Sequence, residues 1–473
     1  MDGLLRTRMA RGALIQLVGK IASSILGLVA FAMMARYLGV EGFGMYTTVT
    51  AFLQFFGILM ECGLTLVTIQ MISKSNVDEN KILSNIMTFR AISAFLFLAA
   101  APVIVLFFPY PQIVKVGVLV AAASFFFVSL NQIFVSYFQK ALRLIVVTIA
   151  ENVARMILIV GVMLAVYFDM GLLNILGWLV VSNLINLAVS WFWGAKWLKL
   201  RPAFDWIIWK EIWTRSWPFA LSISLNLIYL KGDTIILSLF RPQAEVGLYG
   251  ATYRVLDILT MIPTLIMGVA LPVLVRFWQE NKKEFFVLMQ KIFDCFLMLA
   301  VPVVLGTMLI ADKIMVFVAG QDFFAAGAIL RVLILAAGAI LLNGLSGYAI
   351  VALNKQRKMI FGYLFVAALT LIGYFVTIPI FGYWGAAWFT VFSETLILIL
   401  TSIVVFKTSK FVASFKLLPK ILLATIVMLA VLKLTISWPV WILFFEAVFV
   451  YFAILFAVRG LSKRFVFGLI KLR

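Results

Sequence analysis

Apolar runs of about 20 residues recur along the whole chain, and about 20 residues is the length that an α-helix needs to cross the hydrocarbon core of a membrane. Strands of a membrane β-barrel would be shorter and would alternate polar with apolar residues, which these runs do not. The pattern therefore predicts an all-α polytopic membrane protein with about fourteen transmembrane helices. The predicted spans are 12–34, 45–72, 83–108, 113–138, 144–168, 172–195, 217–239, 246–275, 286–311, 325–353, 359–380, 384–406, 417–436 and 439–459.

The connections between these spans alternate between basic and nearly uncharged segments. Most of the 39 Lys and Arg residues fall on one side, which the positive-inside rule assigns to the cytoplasm. Both termini are then cytoplasmic, and the regular alternation supports an even number of spans. The other side carries only Arg36, Lys115, Arg241, Lys313 and Lys433.

The composition agrees with a membrane protein, since 65% of the residues are hydrophobic and only 12% are charged, whereas a soluble domain is about a quarter charged. The positive-inside rule also explains the net charge of +20, so nucleic acid is not a predicted partner. Histidine is absent, which removes the usual metal ligand and proton shuttle, and we predict neither a metal nor a cofactor. Cys62 and Cys295 lie in apolar spans and are interpreted as small buried hydrophobic residues.

The second span carries a polar face that recurs later in the chain. Its members follow one another by three or four residues, the spacing of one helix face: Tyr46, Thr50, Gln54, Gly57 and Glu61. The residues 203 positions later are Tyr249, Tyr253, Asp257, Thr260 and Thr264. Further pairs are Gly44 with Gly247, Ser23 with Asn226, Asn131 with Asn343, Gly171 with Gly382, and Ser182 with Ser393. We interpret these matches as an internal repeat, and chance agreement among small and polar residues is the competing interpretation.

The repeat predicts two homologous six-helix lobes, residues 1–195 and 217–406. A cytoplasmic linker rich in Trp and Lys, residues 196–216, separates them and has the composition of a helix at the membrane interface. Residues 407–473 form an appended helix pair with a basic cytoplasmic tail. Because six spans is an even number, both lobes enter from the same face, and we expect their polar faces to meet in a shared cavity.

Ionisable residues within the spans are the candidate site, because charges at membrane depth usually face a cavity or a partner. Glu151 with Arg155, and Arg254 with Asp257, could each form a pair along one helix or line the cavity, and both interpretations stay open. Unpaired cations favour an anion, and a guanidinium binds phosphate well. The candidate substrate-binding cations are Lys20, Arg90, Arg155, Lys231 and Arg254, and the candidate carboxylates for ion coupling or charge balance are Glu61, Glu151, Asp233, Asp257 and Glu394.

Two short stretches resemble a known family. Residues 35–46, ARYLGVEGFGMY, and residues 379–387, PIFGYWGAA, followed by Ser393-Glu394, are similar to motifs of bacterial O-antigen-type polysaccharide flippases of the multidrug/oligosaccharidyl-lipid/polysaccharide exporter superfamily. The resemblance implies a non-enzyme of the bacterial inner membrane that moves an undecaprenyl-diphosphate-linked oligosaccharide to the outer leaflet by alternating access. Membrane lipid, a glycan polymerase and export machinery are the further partners that it implies.

Other functions remain as alternatives. The first is a proton- or sodium-coupled multidrug exporter of the same superfamily, with Glu61, Asp233 or Asp257 as the ion site. A flippase for a lipid-linked peptidoglycan precursor is a close relative of the leading hypothesis. A glycan polymerase or ligase is disfavoured because its acceptor chemistry needs a long extramembrane loop, and the predicted outer loops are all short.

Overall fold

The computed structural model describes the backbone of residues 2–61, 63–73 and 78–460, and the side chains of these residues except 2–18 and 218–230. The predictions for Cys62, for Asn226 and for the tail after residue 460 lie outside the described residues. Within them the chain forms helices α1 (Asp2–Glu61), α2 (Leu64–Ile72), α3 (Glu79–Ile104), α4 (Gln112–Lys140), α5 (Leu144–Tyr167), α6 (Gly171–Gly194), α7 (Trp206–Phe240), α8 (Gln243–Glu280), α9 (Lys282–Ala319), α10 (Ala326–Ala352), α11 (Gln356–Phe381), α12 (Tyr383–Ser409), α13 (Leu418–Leu434) and α14 (Val440–Ala457).

The all-α fold predicted from the sequence is confirmed. Eleven helical stretches in the described part of the chain are long and apolar enough to cross a membrane, and one of them, Gly19–Ile72, holds the first two predicted spans. The repeat is visible in the backbone as well. Gly171 and Gly382 are repeat partners that begin or precede the last helix of their six-helix sets, and both have positive φ, 75° and 58°.

The second predicted span is not one continuous helix. The first two spans run together as α1, with a kink at Gly39 (φ 63°, ψ −175°). The helix then ends at Glu61, and α2 begins after Gly63, which has φ 71°. A left-handed backbone at these positions is inexpensive only for glycine, so the two glycines explain where the helix bends and breaks.

Contacts divide the chain into two compact units, Met1–Gly247 and Leu248–Arg473. In the first unit α7 packs against α1, α2 and α3. Ile212 of α7 is fully buried in a cluster with Leu64, Val67 and Ile86. The first unit thus contains a helix that the repeat assigns to the second lobe, and the lobe boundaries of the sequence analysis stay a prediction.

The segment before α7 is extended and lies along α3 of the same unit. Its alternate backbone N–H groups, those of Lys199, Arg201, Ala203 and Asp205, donate to side chains of α3. The acceptors are Asn80, Ser84, Thr88 and Asn85, at distances of 2.9, 3.2, 2.9 and 2.7 Å respectively. Because an extended chain turns every second residue to the same side, the polar side chains of one helix can satisfy all four of these N–H groups.

The second unit is built on apolar packing. One buried cluster joins α8, α9, α10, α11 and α12, and another joins α9 and α10 to the appended α13–α14 pair. The Tyr451 hydroxyl of α14 donates to the Met298 carbonyl of α9 at 2.8 Å. An apolar cavity of about 460 Å³ lies in this unit, with Pro302, Met428 and Phe445 among its lining residues.

Candidate functional site

The first part of the site is the contact between α1 and α5 in the first unit. Gly19, Ser23 and Gly27 recur every fourth residue along one face of α1, and small residues at this spacing let two membrane helices approach closely. A Cβ atom on Gly19 would lie 1.9 Å from the Thr148 Cγ2 atom of α5, and one on Gly27 would lie 3.6 Å from the Arg155 Cζ atom. The two helices therefore pack with polar and charged α5 side chains against the small residues.

Glu151 is bonded to this face of α1. The Ser23 hydroxyl donates to the Glu151 Oε1 atom at 2.9 Å, and the Asn152 Nδ2 atom donates to the Gly19 carbonyl at 3.2 Å. Glu151 and Arg155, one turn apart on α5, form no ion pair with each other among the described residues. Both side chains contact α1 instead of each other, and their place in a cavity stays a prediction.

Lys20 and Arg155 are cations with unused donors beside this contact. Lys20 follows Gly19 on α1 and is exposed, and Arg155 is half-buried against Gly27. Within the side chains that the structure describes, neither forms a hydrogen bond or an ion pair. An ammonium carries three N–H donors and a guanidinium five, so these two side chains together carry eight donors and two positive charges.

Arg90 has a different environment, although the sequence placed it in the same class. Its side chain is 1% exposed and its Nη2 atom lies 2.5 Å from the Glu61 Oε2 atom. The same Nη2 atom donates to the Thr65 hydroxyl at 3.1 Å, and the Nη1 atom donates to the Ser129 carbonyl at 2.9 Å. The sequence predicts a cavity or a partner for charges at membrane depth, and the structure makes Arg90 and Glu61 partners of each other.

This ion pair lies at the break between α1 and α2. The Glu61 carboxylate accepts the Thr65 backbone N–H at 3.0 Å as well as the Thr65 hydroxyl, and so it caps the first turn of α2. Arg90 connects that cap to α3 and, through Ser129, to α4. Taking two charges out of water is costly unless both are well bonded, and this network supplies those bonds.

Lys231 and Asp233 lie on α7 of the same unit. Asp233 is fully buried and its Oδ1 atom accepts the Thr234 backbone N–H at 2.6 Å and the Thr234 hydroxyl at 3.2 Å. Lys231 is half-buried. The two side chains leave α7 in different directions, as their separation of two residues requires.

The second unit holds the remaining candidates. Arg254 and Asp257 are half-buried one turn apart on α8, and Glu394 of α12 is 5% exposed. Sequence reasoning missed a buried hydroxyl cluster one turn from Glu394. The Thr390 Oγ1 atom lies 2.9 Å from the Tyr374 hydroxyl and 3.4 Å from that of Tyr249. The sequence does place Thr390 four residues before Glu394, which puts both on one face of α12, and this spacing could have pointed to the cluster.

The sequence model of the family described as polysaccharide biosynthesis protein matches residues 9–278. The chain belongs to this polysaccharide biosynthesis family. The match runs from residue 9 in α1 to residue 278 in α8 and therefore includes the α1–α5 contact and the Arg90–Glu61 pair. Among proteins of curated function, none matches the sequence.

Several solved structures have the same fold and align with most of this chain. The lipid II flippase MurJ in an inward closed conformation has a TM-score of 0.76 at 16% identity, with 97% of this chain and 100% of that chain covered. An inward-facing multidrug resistance MATE transporter of the MOP superfamily has a TM-score of 0.64 at 14% identity, covering 85% and 100%. The Vibrio cholerae MATE transporter VcmN, in its bent form, has a TM-score of 0.53 at 14% identity, covering 86% and 98%.

Together these findings establish the class of protein. The chain is a multi-pass membrane protein of the polysaccharide biosynthesis family, and its all-α fold is that of the MurJ and MATE structures. The resemblance seen in the two short motifs is confirmed at the level of the polysaccharide biosynthesis family.

Proposed function

We propose that this protein is a flippase that moves an undecaprenyl-diphosphate-linked oligosaccharide from the cytoplasmic to the outer leaflet of the bacterial inner membrane by alternating access. In this proposal both termini are cytoplasmic, and the lobes are residues 1–195 and 217–406. The observation that carries the proposal is the pair of cations, Lys20 and Arg155, whose donors are unused among the described residues. A diphosphate is the charged group common to all such carriers, and cations with spare donors suit it.

The apolar part of the substrate has a separate place to bind. The cavity of about 460 Å³ in the second unit is lined almost wholly by apolar side chains from α8, α9, α13 and α14. A polyprenyl chain is apolar and gains free energy when such surface leaves water or replaces loosely packed lipid. In this proposal the cavity of the second unit offers an apolar surface to part of the tail.

The candidates divide into three roles. Lys20 and Arg155 bind the diphosphate directly, with Lys231 and Arg254 as further cations of the pathway. Glu151 balances their charge in the empty state through its bond to α1. Arg90 and Glu61 fix the broken second span, and they support the site without touching the substrate.

One observation favours a second candidate, the ion-coupled multidrug exporter. Asp233 is a fully buried carboxylate on α7, and buried acids in membrane helices commonly carry protons or sodium ions. In that case Asp233 would be essential and Lys20 and Arg155 would be dispensable.

Reconstitution distinguishes the two functions. Purified protein is placed in liposomes that contain an undecaprenyl-diphosphate-linked oligosaccharide, and exposure of the sugar is followed with an impermeant glycosidase. We expect flipping at a rate at least tenfold above that of empty liposomes. Ion-gradient-driven efflux of a cationic dye, with no flipping, would contradict the proposal and support the exporter.

A further inference from the structure

Two glycines bring α1 and the start of α8 into direct backbone contact within the first unit. A Cβ atom on Gly44 would lie 1.7 Å from the Gln243 carbonyl oxygen, and a Cβ atom on Gly247 would lie 2.0 Å from the Val40 carbonyl oxygen. Both distances are far below any van der Waals separation. At this crossing, therefore, no residue larger than glycine fits at either position unless the backbones move apart.

Each side of this contact consists of residues that are repeat partners of those on the other side. Gly247 is the repeat partner of Gly44, and Gln243 is the repeat partner of Val40, because both pairs are 203 residues apart. Each glycine thus meets the carbonyl four residues before the other glycine. A Cβ atom on either glycine would also lie 3.0 Å from the backbone nitrogen of the other glycine. A contact in which both segments use the same positions is typical of two-fold symmetry.

Two side-chain hydrogen bonds flank the glycines. The Thr48 hydroxyl donates to the Gln243 Oε1 atom at 2.6 Å, and both residues are buried. The Tyr110 hydroxyl lies 2.8 Å from the Ser238 Oγ atom. Because the Ser238 hydroxyl already donates to the Ile235 carbonyl, Tyr110 is the donor, and burial raises the pKa of Tyr110 to about 12, which keeps that proton in place.

Both partners of the crossing follow a point where the helix is interrupted. In α1 the kink at Gly39, with φ 63°, comes five residues before Gly44. In the other partner, Arg241 and Pro242 separate the end of α7 from the start of α8. Neutral hydrogen bonds and backbone packing can separate without exposing a buried charge. The crossing is thus held by contacts that can open, beside interruptions about which helices can turn.

We propose that the Gly44–Gly247 crossing is a reversible clasp, which closes the transport pathway at the end of the helices that the loop charges assign to the outside and parts when the pathway opens there. The inference rests on the proposed function, because a flippase must open to both leaflets. The clasp consists of Gly44, Gly247, Thr48 and Gln243, with Tyr110 and Ser238 beside it. It gives the glycines of residues 35–46 a role beyond turn formation.

A disulfide tests whether the clasp must open. Thr48→Cys and Gln243→Cys are combined in a background in which Cys62 and Cys295 are replaced by alanine, and the protein is oxidised in liposomes. We expect the cross-linked protein to lose at least 90% of the flipping rate that the same double cysteine variant has before oxidation, and to regain that rate on reduction. A cross-linked protein that flips at the uncross-linked rate would overturn the proposal.

Alanine variants test the reciprocal geometry with a readout that needs no substrate. Gly44→Ala and Gly247→Ala should each increase the labelling of Thr48→Cys by an impermeant maleimide from the outside, several-fold and to a similar extent. Gly177→Ala on α6 is the matched control, because a Cβ atom there meets nothing within 4 Å. Unchanged labelling in both variants, with folded protein, would contradict the clasp.

The two readouts separate this inference from the proposed function. If wild-type protein flips no glycan but the labelling differences appear, the substrate assignment fails and the clasp stands. If flipping proceeds normally with the disulfide formed, the clasp fails and the substrate assignment stands. Should either alanine variant fail to accumulate, the disulfide experiment still decides the matter.

Discussion

Arg90 and Arg155 are two arginines within the spans of the first unit, and their environments differ in almost every respect. Arg90 is 1% exposed and bonded to Glu61, Thr65 and Ser129. Arg155 is half-buried against Gly27 and has no hydrogen bond or ion pair among the described residues. The first arginine holds helices together, and the second has donors available to a ligand. Depth in the membrane therefore does not by itself identify a candidate binding residue, and we propose unused donors as the further criterion.

The largest expected effect is on stability, from Arg90→Ala. The change leaves the Glu61 carboxylate without its cation at the break between α1 and α2. We expect the free energy of unfolding to fall by about 3 kcal/mol, the low end for breaking a buried ion pair, because Arg90 is buried while Glu61 is 27% exposed. Thermal melting of the detergent-solubilised protein measures it. The matched control is Arg276→Ala, whose ion pair with Glu280 is exposed and should contribute less than about 1 kcal/mol. If the Arg90→Ala protein is as stable as wild type but no longer flips the lipid-linked glycan, Arg90 and not Arg155 has the binding role.

Arg155→Ala and Lys20→Ala should act on transport and leave stability nearly unchanged. Each removes charged donors to the diphosphate, worth about 1.5–3 kcal/mol, so flipping should slow by about ten- to a hundredfold. Arg155→Lys should keep part of the rate, because the charge remains while the bidentate geometry is lost. If the melting temperatures of these variants fall together with their flipping rates, Lys20 and Arg155 have a structural role instead.

An exposed ion pair extends the comparison and gives the smallest effect. Lys81 lies 2.7 Å from Asp205, which caps α7, and the hydrogen bond from Lys81 lowers the pKa of Asp205. A lowered pKa in the folded state adds stability that is present above the unfolded pKa of about 4 and is lost as the pH falls through the folded value. At pH 7 wild-type protein should therefore have a slightly higher melting temperature than the Asp205→Asn variant. The melting temperatures of the two proteins should converge below about pH 4. If the difference in melting temperature between the two proteins grows as the pH falls, the Lys81–Asp205 ion pair is not its cause.

The sequence predicted most of the fold, because apolar length and loop charge are local properties. The all-α class and most of the spans could be predicted in this way, and the internal repeat paired Gly171 with Gly382. The break at Gly63 could not, since a glycine in an apolar run is equally compatible with a continuous helix. The contact of Gly44 with Gln243 is a long-range packing feature, and only the offset of 203 hinted at it.

The site was less predictable than the fold for a related reason. Sequence spacing identified Lys20, Arg90 and Arg155 as intramembrane cations, but it could not show which of them a distant helix neutralises. Arg90 and Glu61 are 29 residues apart, and Ser23 and Glu151 are 128 apart. Such partners depend on the packing of helices, whereas the pairs that spacing suggests lie within one helix.

Binding of the bare carrier head group tests the central claim most directly. Undecaprenyl diphosphate without sugar is titrated into wild-type protein, the Lys20→Ala/Arg155→Ala double variant and the Arg276→Ala control, and the dissociation constants are compared by native mass spectrometry. We predict that the double variant binds at least tenfold more weakly than wild type and that the control binds as wild type does. Equal affinity of all three proteins for undecaprenyl diphosphate would contradict the account.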